Sequence, residues 1–217
     1  MLASAIISHG RSIANVPNTS FFTSTDALYS LNESYKDLYS ILTRENDDFY
    51  ATVVTVNTSA MTADTVRDYV YKYTLPSDFY RLRLLQQQQG SIWSTVNKLT
   101  LEQFGQSAMS PGYRFRGTEL WIYDQSAPSD YQIWYYPNPV TLTTTPDSDI
   151  TYPGTLVPEI LSYQIAMDIR RKQGQPDESL QARRNELINT MIKQLNRDDN
   201  RAETVKNVFS QGFAPYI

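Results

Sequence analysis

The chain has 217 residues, 41% of them apolar, with one histidine, no cysteine and a net charge of -4. That length suits one medium domain, or a domain carrying a subdomain and tails. Without cysteine there are no disulfides or thiolate metal sites, a lone His9 is a poor basis for zinc or triad chemistry, and no basic stripe marks a sequence-specific DNA binder.

Met1 to Phe22 reads as an N-terminal arm, with Pro17, Asn18, Thr19 and Ser20 as a turn-like cluster. Its apolar stretch, Leu2 to Ile7, lacks a basic flank and is too short to span a bilayer, so no transmembrane segment is expected. A helix is predicted over 24–48, capped by Ser24 or Thr25. Leu28, Leu31, Tyr35, Leu38 and Leu42 line one face of it, and Ile41 widens that face. A β-rich insert follows over 50–153. Tyr50 to Asn57 is β-branched, and Tyr69, Tyr71 and Tyr73 alternate within Val66 to Leu75. Leu75-Pro76-Ser77-Asp78 reads as a turn, because Pro76 forces Leu75 out of the α region. Phe79 to Gln86 is the next strand, and Ile92 to Leu99 a weaker one. Tyr113 to Tyr123 splits at Gly117-Thr118 as a hairpin, Gln125 to Asp130 is a loop, and Tyr131 to Tyr136 is an aromatic strand. Pro137 to Pro153 is extended.

A helix pair is predicted over 157–197. Pro158 opens the first helix, Leu161, Ile165 and Ile169 line it, and Gly174 ends it. Leu180, Leu187, Ile188, Met191, Ile192 and Leu195 form the face of the second. Residues 201–217 are a tail with Val205, Val208, Phe209, Phe213 and Tyr216 as docking anchors. The expected fold is α+β: a helical bundle from the N-terminal helix and the C-terminal pair, an inserted antiparallel β-rich subdomain, and extended terminal arms. The domain itself would run over 23–200.

No residue pattern points to catalysis, a cofactor or a metal. The acidic pairs Asp47 with Asp48, Asp147 with Asp149 and Asp198 with Asp199 lie in polar segments, where a dyad with one raised pKa is not expected. Asp147-Ser148-Asp149 starts like a calcium loop but lacks the later glycine and glutamate, so a solvated loop is the expectation. Arg81 with Arg83, and Arg114 with Arg116, are each spaced by two, which on a strand puts both guanidinium groups on one face. They are candidates for acids on a neighbouring subunit or for a nucleic-acid passage, with a plain solvent-facing sheet as the bland reading. The 16 tyrosines against 8 phenylalanines fit a half-buried sheet or an interface. They also allow an alternative function, a single-stranded nucleic-acid-binding module that stacks bases on a Tyr-rich sheet. A carboxylate hydrolase is a third, minor reading.

Tyr73-Thr74-Leu75-Pro76-Ser77-Asp78-Phe79-Tyr80-Arg81-Leu82 resembles the Tyr-x-Leu-Pro-x-Asp-Phe-x-Arg-Leu turn of head–tail adaptors from short-tailed bacteriophages, also called connector or tail tubular (gatekeeper) proteins. Leu75, Pro76, Asp78 and Phe79 are its sharp positions. Gly117 to Tyr123 followed by Tyr131 to Pro139 resembles the family's strand pair, and Val157-Pro158-Glu159-Ile160 opens its paired helices. The long N-terminal segment and the spacer from Leu82 to Gly117 depart from the pattern. The resemblance implies a non-enzymatic structural subunit, made in the host cytoplasm and placed in the virion at the head–tail junction. It implies a homo-oligomeric ring, commonly of twelve copies, that binds the portal, receives a tail or nozzle protein, and passes genomic DNA through its lumen without contact with a membrane. In relatives the C-terminal tail reaches into the portal, a role that falls here on 201–217.

Overall fold

The structure is a computed structural model that describes residues 1–16, 21–45, 50–103, 111–150 and 156–210, with the backbone alone for 196–210. It is α+β and divides into two compact units: a helical unit of residues 1–49 with 139–217, and a β unit of residues 50–138. Among the described residues the four α-helices belong to the first unit and the nine strands to the second.

The segment expected as an N-terminal arm is a helix, α1 (Ala3–Ile13). Ala3, Ile6, Ile7 and Gly10 recur at helical spacing and are buried against α3 (Val157–Lys172). Gly10 permits the approach: a Cβ there would lie 2.8 Å from the Ile165 Cβ and 2.9 Å from the Ser162 carbonyl oxygen. The first turn of α1 finds its acceptors in the segment read as a solvated loop. Ala3 N–H donates to the Ser148 carbonyl at 3.0 Å, and Ser4 N–H to the Asp147 carboxylate at 3.1 Å. Asp147 thus satisfies an orphan N–H at the positive end of the helix dipole.

The second helix, α2 (Ser24–Arg44), is capped one residue earlier than expected, by Thr23. Thr23 Oγ1 accepts from Asp26 N–H at 3.1 Å, and the Asp26 carboxylate accepts from Thr23 N–H at 2.9 Å, a reciprocal capping box. Ala27, Leu31, Tyr35, Leu38 and Leu42 are buried, each large aliphatic one contributing about 1.5–3 kcal/mol. Leu28 and Ile41 flank that face half-buried, and Asp47 and Asp48 lie outside the described residues.

In α3, Pro158 occupies the first turn, where its missing N–H costs nothing, and Ile160, Leu161, Ile165 and Ile169 are buried. Gly174, at φ +67°, ends the helix. The Gln175 N–H bonds the Arg170 carbonyl and the Gly174 N–H bonds that of Arg171, the two bonds of a Schellman cap. The last helix, α4 (Glu178–Ser210), packs Leu180, Leu187, Ile188 and Met191 and runs further than expected. Residues 201–210, read as tail, continue its backbone, and 211–217 lie outside the described residues.

The insert ends at Asn138, not at 153. Leu142 and Ile150 are buried in the helical unit. There Asn32 of α2 holds Leu142 as a strand partner would: Leu142 N–H donates to Asn32 Oδ1 at 2.7 Å, and Asn32 Nδ2 donates to the Leu142 carbonyl at 3.1 Å.

The β unit contains β1 (Thr52–Asn57), β2 (Thr62–Ala63), β3 (Val70–Thr74), β4 (Phe79–Gln89), β5 (Ile92–Thr95), β6 (Asn97–Lys98), β7 (Gly112–Arg116), β8 (Glu119–Tyr123) and β9 (Asp130–Pro137). One sheet has the order β1-β9-β4-β5 and is antiparallel. The other has the order β2-β3-β8-β7-β6, antiparallel except for β6 with β7. Their inner faces share one core, with Leu85, Tyr131, Ile133 and Tyr135 from the first sheet and Leu120 and Ile122 from the second. Strand β3 starts at Val70, later than the expected Val66, because Tyr69 sits at φ +62° as a corner before it. The expected hairpin at Gly117-Thr118 is β7–β8, with Gly117 at φ +60°.

Candidate functional site

The Leu-Pro-x-Asp-Phe segment forms the β3–β4 corner and ties three elements together. Phe79 N–H donates to the Pro76 carbonyl at 3.0 Å, closing the turn, and Leu75 N–H donates to the Thr118 carbonyl of the β7–β8 hairpin at 3.0 Å. The Asp78 carbonyl accepts from Asn138 N–H, and its carboxylate accepts from the Tyr135 hydroxyl at 3.2 Å. Burial and then the Asp78 carboxylate push the Tyr135 phenol above its ordinary range. Phe79 stacks on Tyr135 with centroids 5.5 Å apart and meets Phe115 at 5.9 Å. The residue pattern is thus a structural one: proline sets the turn, aspartate fixes the end of β9, and phenylalanine fills the gap between sheets. Beside it lies a groove of about 560 Å³, lined in part by Leu75, Pro76, Phe79, Tyr80, Arg81 and Phe115.

The two arginine pairs fare differently. The pairing of β4 with β9 slips between Phe79 and Arg81 and again between Leu82 and Leu84. These two irregularities break the strict alternation of the strand, and along it Arg81 is exposed and Arg83 half-buried. Arg114 and Arg116 lie on a regular stretch, opposite Trp121 and Glu119 of β8. Lys72 of β3 pairs with Trp121 from the other side. The outer face of this sheet therefore gathers cations around one indole. Lys72 Nζ lies 4.7 Å from the Trp121 ring centroid, and the guanidinium carbons of Arg116 and Arg67 lie at 4.8 and 5.6 Å. Trp121 Nε1 donates to Glu119 at 2.8 Å, and Lys72 pairs with Asp64 at 2.6 Å, which holds the Asp64 carboxyl below its usual range. Sequence reasoning missed Trp121, Lys72 and Arg67; only the β3–β8–β7 register brings them to the arginine pair.

Of the alternating tyrosines, Tyr73 packs on the inter-sheet core, Tyr71 is half-buried and Tyr69 is exposed. Tyr131 and Tyr135 are buried, and burial raises the phenols of Tyr73 and Tyr113. For Tyr131, burial acts first and the Asp124 carboxylate second, in the same direction. Asp124 is itself buried and organises the β8–β9 turn, accepting from Ser126 N–H at 2.8 Å and from Gln87 Nε2 at 3.1 Å. Rings committed to a core are not a platform for stacked bases.

His9 is an exposed residue of α1, not of an arm. Among the described residues no group of three or more His, Cys, Asp or Glu is placed to hold a metal ion, and no helix is long and apolar enough to cross a membrane. Of the expected docking residues, Val205, Val208 and Phe209 fall on the backbone of α4, and Phe213 and Tyr216 lie outside the described residues.

Comparison with curated proteins gives no significant match. Comparison with family models matches residues 2–208 to the SU10 adaptor protein family, so the match takes in both units and all of α4 up to Val208. These are phage structural proteins of the head–tail region, associated with head and tail components of the virion. The chain belongs to the SU10 adaptor protein family, a family of phage head–tail adaptors.

Proposed function

We propose that this protein is the subunit of a connector ring, of twelve copies, that seats on the phage portal, attaches the tail or nozzle protein and leaves a channel for genome passage. The family match over nearly the whole chain carries this reading. The C-terminal part of α4 is the portal-docking element. A 33-residue helix is about 50 Å long, and Val205, Val208 and Phe209 fall on one of its faces by sequence spacing. Phe213 and Tyr216 extend that apolar series. The net charge of -4 suits a lumen through which DNA must slide, since strong phosphate grip would slow it.

Co-expression with the cognate portal protein, followed by affinity capture on a portal tag, tests the reading. Stoichiometric capture of this chain is expected. Portal recovered without it, under conditions where both proteins are folded, overturns portal binding.

A further inference from the structure

We propose that the cation-lined pocket at Trp121 seats the Tyr29–Glu33–Asp37 face of α2 from an adjacent copy, as the contact that closes the ring; this rests on the ring reading above. The pocket holds about 300 Å³ and is lined by Arg67, Leu101, Arg114, Phe115, Arg116 and Trp121. Two carboxylates, Asp64 and Glu119, stand among four cations. Arg114 Nη1 is buried and makes no hydrogen bond among the described residues. Leu101 stands 69% exposed at the rim, ready for an apolar neighbour.

The charge of the chain points to the occupant. The β unit balances seven acidic with seven basic residues, so the whole net charge of -4 belongs to the helical unit. In that unit α2 presents Tyr29, 70% exposed, then Glu33 and Asp37, both exposed, at steps of four along one face. These three border a groove of about 510 Å³ together with Asp26 and Asp168. An aromatic ring followed by two carboxylates complements an apolar rim followed by guanidinium groups. Lys36 holds Glu33 at 2.8 Å, but exposed pairs of this kind contribute little and exchange readily. Two different patches on one chain make a head-to-tail contact, the kind that closes a ring; a patch meeting itself makes a dimer. A pocket of this size beside the Trp121 indole suits side chains better than a row of phosphates, which needs an extended basic stripe.

The test uses two charge-reversed variants at exposed positions, Arg67→Glu with Arg116→Glu, and Glu33→Lys with Asp37→Lys. Rings on co-expressed portal are counted by negative-stain imaging, with thermal melts as the folding control. Each variant is expected to lower ring yield at least tenfold, and the chain carrying all four substitutions to recover it. If a reversed variant melts early, Arg67→Gln with Arg116→Gln takes its place and is expected to lower ring yield in the same direction. Folded variants that form rings as the parent does overturn this contact and leave the ring reading standing. A parent that forms no ring with portal overturns both. Normal rings that lose retention of a labelled DNA oligonucleotide overturn it in favour of a phosphate site.

Discussion

Gly10 of α1 sits so close to Ile165 of α3 that a Cβ on Gly10 would come within 2.8 Å of the Ile165 Cβ and Cγ2. The Ser162 hydroxyl reinforces the crossing, lying 3.2 Å from the Ile6 carbonyl and 2.8 Å from that of Pro158. A β-branched side chain and a backbone carbonyl have little room to yield. Gly10→Ala is therefore expected to destabilise the helical unit by about 1–3 kcal/mol, despite alanine's better helix propensity. Urea unfolding checks this; a neutral or stabilising substitution would show that α1 does not pack as described.

The start of α2 is tied to the end of α3. Lys172 Nζ lies 2.9 Å from the Asp26 carboxylate and over the rings of Phe21 and Phe22. Lys172 first, and the Thr23 N–H next, lower the Asp26 pKa to about 2. A depressed carboxylate stabilises the fold above its unfolded pKa, near 4, and that contribution disappears as pH falls through about 2. Parent and Asp26→Asn should therefore differ in Tm at neutral pH and converge as pH is lowered from about 4 to about 2. Thr23→Ala, which removes the other half of the capping box, should cost about 1 kcal/mol.

In the β3–β4 corner, Phe79→Ala removes a ring that touches both Tyr135 and Phe115, and a loss of about 2 kcal/mol is expected for this half-buried position. Tyr135→Phe deletes the bond to Asp78 and should cost about 1 kcal/mol. Denaturant melts distinguish the two. A larger loss for Tyr135→Phe than for Phe79→Ala would mean that the hydrogen bond, more than the ring packing, holds the corner.

Sequence showed an element clearly wherever its signal was local. The run from Leu31 through Leu38 to Leu42 spells out α2, Pro158 and Gly174 bracket α3, and Gly117 marks the β7–β8 turn. It failed where the partner is distant. Ala3, Ile6, Ile7 and Gly10 do carry a helical stripe, but the stripe is short, and Gly10 reads as a breaker until Ile165 is known to face it. The irregularities of strand β4 are invisible in the sequence because bulges leave no mark in composition. Trp121 was invisible as a focus because Arg67, Lys72 and Arg116 meet it only through strand pairing and turns. The family motif was legible as a pattern, and the structure adds its physical purpose: a corner held to β9 by Asp78 and Phe79.

Removal of residues 201–217 tests the docking role of the C-terminal segment. The buried residues of α4, Leu180 to Met191, stay in place, so the truncated chain should melt as the full chain does and yet fail to bind portal. Truncated protein that binds portal undiminished would move docking to another surface.

The most direct measurement is cryo-electron microscopy of this protein co-expressed with its portal. The account predicts a closed ring of this chain stacked coaxially on the portal, with an open lumen and the C-terminal part of α4 against portal density. A folded chain that remains monomeric beside intact portal rings at every protein concentration and salt tried would contradict it.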